Sequence, residues 1–157
     1  MKKLLVAASL VLTAAQCVLA QPMSGNYTVG GNAPDFATLQ DAARAVKSRG
    51  VSGAVFFNLR PATYLREDGM ADLMVIDSTI AGTSPTNRIT FQPDAATGGN
   101  VDNVILKADF NASSPPNLAI LRIEADFITL RNLTFMDAES MDVPADWLIR
   151  ISGGVGN

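Results

Sequence analysis

Four carboxylates fall within ten residues late in the chain: Asp137, Glu139, Asp142 and Asp146. Carboxylate oxygens are hard ligands, and a loop that carries several of them is a common way for a chain to hold Ca²⁺. The spacing lacks the glycine and the closing glutamate of an EF-hand loop. The segment therefore reads as a solvated acidic loop, with a Ca²⁺ site as the alternative. A second constellation is basic. Arg122, Arg131 and Arg150 hold similar places in successive strand-like segments, and three guanidinium groups stacked on one outer face would pair with the carboxylates of an acidic polysaccharide. The competing reading is that alternation turns polar residues outward in any strand, with Glu124 and Asp126 placed to neutralise the arginines.

Other chemistry is excluded by what the chain lacks. It contains no histidine, which removes Ser-His-Asp hydrolysis and His-ligated zinc. No catalytic residue and no cofactor site is assigned. Asn26, Asn111 and Asn132 begin Asn-x-Ser/Thr triplets, but the leader described next has a short bacterial form, in which such triplets carry little meaning. Tyr27, Tyr64 and Trp147 are too scattered for a sugar-stacking platform and read as packing residues.

Lys2 and Lys3 precede an apolar run from Leu4 to Ala15, and Val18-Leu19-Ala20 supplies small or branched residues ahead of Gln21. This is the pattern of a Sec signal peptide, with cleavage expected before Gln21. The apolar run is shorter than the ~20 residues of a membrane-spanning helix. Gln16 before Cys17 argues against lipidation. Residues 21–157 then form one domain of 137 residues with no cysteine, held by burial alone and placed outside the cytoplasm or on the cell surface. Ten basic residues face fifteen acidic ones in that domain, a net charge of −5 that disfavours nucleic acid or an anionic membrane as partner.

The elements that must position these groups are mostly strands. Phe36, Leu39, Ala43 and Val46 recur at helical spacing, which predicts one amphipathic helix over 36–49, capped by Asp35 and closed by Gly50. Beyond it, short strands are expected at 54–60, 63–66, 73–76, 88–92, 104–107, 118–124, 127–131, 133–136 and 147–151, after a shorter one at 27–29. Clusters rich in Gly, Pro, Asn and Ser separate them, and no second helix is present to build βαβ crossovers. A mainly β fold follows, either a parallel solenoid or a β-sandwich. Asn132 favours the solenoid. The inward alternation Ile128, Leu130 restarts one step late at Leu133, Phe135, so Asn132 marks a bend of the kind that turns a coil without a hairpin.

The segment Asp35-Phe36-Ala37-Thr38-Leu39, the helix after it, the run Ala54-Val55-Phe56-Phe57-Asn58-Leu59 and the tetrad Pro61-Ala62-Thr63-Tyr64 resemble the start of secreted right-handed parallel β-helix proteins of the pectate-lyase and pectinesterase type. Phe127-Ile128-Thr129-Leu130-Arg131-Asn132-Leu133-Thr134-Phe135 resembles the first full rungs of the same family, of its large bacterial surface members especially. The likeness covers most of residues 25–136. It implies that the helix plugs the first coil, and that no catalytic motif of either enzyme branch lies in this stretch. The expected function is an exported or cell-surface scaffold or adhesion module in contact with polysaccharide or cell-surface glycan. The alternative is the N-terminal fragment of a polysaccharide lyase or carbohydrate esterase whose catalytic coils lie further on. After Trp147–Ile151 no closing helix is legible, so the chain reads as the opening part of something longer.

Overall fold

Alternation of buried and outward residues sets the first long strand: Val55, Phe57 and Leu59 are fully buried, while Phe56 and Asn58 between them are not. A computed structural model of the chain describes residues 21–65, 73–76, 80–108, 119–137 and 147–152. Among these the order is β1 (Met23–Val29), α1 (Leu39–Arg49), β2 (Val51–Leu59), β3 (Ala62–Leu65), β4 (Met74–Ile76), β5 (Ile89–Pro93), β6 (Val104–Ala108), β7 (Ala119–Ile123), β8 (Ile128–Leu130), β9 (Thr134–Asp137) and β10 (Trp147–Ile151). The fold is mainly β, as the strand pattern predicts. Every predicted strand is present within a few residues, and β1 begins four residues earlier than 27–29.

All pairings between these strands are parallel. They form a sheet in the order β1-β2-β5-β8, a second in the order β3-β6-β9 and a third in the order β4-β7-β10. From β2 onward the chain visits the three sheets in rotation, and each strand pairs with the strand three places later. Inward residues therefore stack. Tyr27 lies over Phe57, Phe57 over Phe91 and Phe91 over Leu130. The Phe57 and Phe91 rings are stacked with centroids 4.9 Å apart, and Phe36 meets Phe57 edge-on at 5.8 Å. Contacts of this kind add about 0.5–1.5 kcal/mol per pair beyond area burial.

The helix is shorter than its apolar spacing suggests, and its cap is a different residue. Thr38, not Asp35, is the N-cap: its Oγ1 accepts from the Asp41 amide at 3.1 Å and donates to Asp41 Oδ2 at 2.9 Å. Asp35 is drawn away by Thr28, whose amide and hydroxyl both donate to Asp35 Oδ2 at 2.7 and 2.8 Å. These Thr28 donors hold the Asp35 carboxyl below the ordinary carboxylate range. Phe36 stays extended and bridges to Val29. Leu39, Ala42, Ala43 and Val46 make the buried stripe, and α1 packs on β1 and β4.

The end of α1 meets the approach to β5 at very short range. Gly50 has φ +68° and Gly82 φ +85°, both in the left-handed region. The Val51 amide donates to Ala81 O at 2.8 Å, and a Cβ built on Gly82 would lie 2.0 Å from Val51 O. A side chain at Gly82 thus pays both the backbone cost and a clash with main chain. Gly98, at φ +79°, has open space around the same position. Gly82→Ala is expected to cost about 2–3 kcal/mol, lowering Tm by roughly 8–15 °C, and Gly98→Ala about 1 kcal/mol. Thermal unfolding of residues 21–157 checks the order, and equal losses would contradict the steric account.

Candidate functional site

The outward face of the first sheet carries a file of amides. Thr28, Asn58 and Gln92 are in register, Gln92 Nε2 donates to Asn58 Oδ1 at 2.9 Å, and Asn58 Nδ2 donates to Asn26 Oδ1 at 3.4 Å. Arg131 follows Leu130, the partner of Phe91, and extends this row past Gln92. Its amide donates to Phe91 O at 3.0 Å, and among the described residues its guanidinium has no ion pair. Asn132 comes next with φ +51°, so the bend expected there is observed.

Opposite these residues stands the loop between β5 and β6, and Asp94 organises it. Asp94 O accepts from the amides of Thr97 at 3.1 Å and Gly99 at 2.8 Å, and Asp94 Oδ1 accepts from Ala96 N at 3.1 Å. Asp94 is buried, with Arg60 Nε 3.8 Å from its Oδ2. Arg60 Nη1 also donates to Asn32 O, so one guanidinium ties two corners together. Asn100 and Asn103 stiffen the rest of the loop: Asn100 Oδ1 accepts from Asp102 N and Asn103 Oδ1 from Asn100 N, both at 2.8 Å. Thr134 Oγ1 donates to Val101 O at 2.5 Å, fixing the loop to β9.

Between loop and corner lies a cleft of about 630 Å³, lined by Gln92, Asn100, Arg131 and Asn132 with apolar Pro93 and Val101. Three amides and one cation supply donors around it, which suits hydroxyl or carboxylate groups. Among the described residues the lining has no nucleophile paired with a base. Among the described residues no group of three His, Cys, Asp or Glu is placed to hold a metal. Glu139, Asp142 and Asp146 of the acidic loop lie outside the described residues, as does the side chain of Asp137.

The three arginines singled out from the sequence do not form one row. Arg122 and Arg150 are register partners in the third sheet, with Val75 on the other side of Arg122, whereas Arg131 belongs to the cleft at the end of the first sheet. The physical reason is the rotation of the chain, which sends strands adjacent in sequence to different sheets. Arg122 pairs with Glu124 at 3.5 Å, the neutralisation expected of that residue. Gln92, Asn100 and Asn132 were not foreseen as cleft residues. The available signal was the matching step from Phe91 to Gln92 and from Leu130 to Arg131.

A second, smaller hollow of about 250 Å³ is bounded by Gly30, Thr38, Gln40 and Tyr64. The Tyr64 hydroxyl donates its one proton between Val29 O at 2.8 Å and Arg60 O at 2.9 Å. Burial pushes this phenol up to about 12, so Tyr64 is a fixed donor and not a base. Gly30 is required beside it, since a Cβ there would lie 2.8 Å from the hydroxyl.

Comparison of the chain with protein-family models, with curated proteins and with solved structures finds no match to any of them. What fold and site define is a mainly β protein of three parallel sheets with a polar cleft at one sheet end.

Because the folded pKa of Tyr64 lies above the unfolded value near 10, its contribution is complete below pH 10 and is lost between about pH 10 and 12. That loss is on the order of 2 kcal/mol. Tyr64→Phe should lower stability by about 1–2 kcal/mol at pH 7 and flatten this alkaline decline relative to the parent. Urea midpoints for both forms across pH 8–12 test it, and parallel curves would contradict a buried neutral phenol.

Proposed function

We propose that the chain is the capped opening section of an exported right-handed parallel β-helix, a cell-surface scaffold or adhesion module whose Arg131 cleft contacts carbohydrate. The observation that carries this reading is the rotation of consecutive strands through three parallel sheets. A coil that advances one strand spacing per turn produces that order directly, and the right-handed sense follows the rule for parallel crossovers. Helix α1 lies on β1 and β4, as a lid over the first coil does, while among the described residues β8, β9 and β10 are the last strands of their sheets. Their apolar residues are less covered than those of the coil before. Phe91, Leu106 and Leu121 are fully buried, whereas Leu130, Phe135 and Ile149 are only partly so and Ile151 is 74 % exposed. Further coils stacked on this layer would complete it.

The carbohydrate reading rests on the cleft. Arg131 with the amides of Gln92, Asn100 and Asn132 matches the hydroxyls and carboxylates of a uronic-acid oligosaccharide, with Pro93 and Val101 under its apolar face. The test is an NMR titration of purified residues 21–157 with oligogalacturonate and with a neutral oligoglucoside. Shifts of the Gln92, Asn100 and Asn132 side-chain amides are expected with the acidic sugar, and Arg131→Ala should weaken binding about tenfold. Absence of binding, or binding indifferent to Arg131, would remove the carbohydrate contact. Turnover of pectin by the same protein would replace the scaffold reading with an enzymatic one.

A further inference from the structure

We infer that export creates a self-blocking amino terminus: Gln21, freed by cleavage after Ala20, closes to pyroglutamate beside Arg49. The inference rests on the export reading above and goes beyond it to a modification site. Gln21 is exposed and lies outside any strand or helix. It is nevertheless held in place, since Arg49 Nε donates to Gln21 O at 2.8 Å and the Met23 amide donates to Gly50 O at 2.9 Å. A new α-amine at Gln21 is separated from that carbonyl by only the residue's own backbone, so it lies within roughly 7 Å of the guanidinium.

Two full positive charges at that range disfavour the ammonium form and raise the share of free amine. The C-terminus of α1 acts the other way, but with about half a charge. The free amine attacks the Gln21 side-chain carbonyl carbon, the new C–N bond closes a five-membered lactam, and the old Cδ–N bond breaks. Ammonia leaves with the amine's proton, and nothing is oxidised or reduced. The product removes the cation that opposes Arg49 and leaves no primary amine for an aminopeptidase, with Pro22 next in the chain.

The full chain Met1–Asn157, expressed in a secreting host, gives the test through the intact mass and amino-terminal peptide of the exported product. A mass beginning at Gln21 and lighter by one ammonia, with the loss placed on Gln21 by fragmentation of an amino-terminal peptide that no longer reacts with amine reagents, is expected. A product starting at Gln21 with a free amine overturns the cyclisation alone, and one that keeps residues 1–20 overturns the export reading beneath it. The role of Arg49 has a separate readout. When a protease exposes Gln21 in vitro, Arg49→Gln should slow ring closure about threefold, because the ammonium form is no longer opposed by a neighbouring cation, while Arg49→Lys should match the parent. Equal rates in all three forms would remove Arg49 from the account.

Discussion

In a parallel ladder each residue lies over a residue of the neighbouring strand that faces the same way, so a side chain chosen for one strand constrains the next. Here that constraint builds both the core and the cleft. Inward, Tyr27, Phe57, Phe91 and Leu130 form one file, and its aromatic members fill the layer spacing by stacking. One step along the chain and facing outward, Thr28, Asn58 and Gln92 form a polar file that ends beside Arg131. Moving any strand by one residue would expose the phenylalanines and bury the amides together. The buried file thus fixes the register that brings Gln92 and Arg131 to the same cleft.

Stacking alone leaves the first layer with open edges, and the chain closes them by bringing backbone very near backbone. Gly50 and Gly82 allow α1 to end, β2 to begin and the approach to β5 to pass within hydrogen-bonding distance of Val51. Arg60 and Tyr64 do the corresponding work at the next corner, joining Asn32, Val29 and Asp94 through one guanidinium and one hydroxyl. With no cysteine after residue 20, these polar ties and the glycine contacts do what disulfides do in many small exported domains.

Much of the strand layout was legible because alternation is a local property: the pattern around Val55, Phe57 and Leu59 needs no knowledge of partners. The bend at Asn132 was legible for the same reason. The helix start was not. Phe36 fits the apolar stripe by spacing, but the pairing of Thr28 with Asp35, seven residues away, holds this stretch extended until Thr38. The grouping of the arginines was hidden by irregular loops. Register partners lie 28 residues apart from Leu121 to Ile149 but 47 apart from Met74 to Leu121, so a repeat present in space is blurred along the chain. For the same reason the cleft was invisible, since Asn100 reaches it from a loop whose shape depends on Asp94.

The two ends of the stack differ in a way that bears on the proposed coil. At the first layer, α1 covers apolar residues that parallel pairing would otherwise leave open, and Met23, Val51 and Met74 are buried. At the third, Ile151 is far more exposed than its register partner one layer earlier, Ile123, which is buried. Exposed apolar area is unfavourable by about 25 cal/mol per Å², and unpaired strand edges invite further pairing. The residues left open at this layer are those that further parallel pairing in the proposed coil would cover.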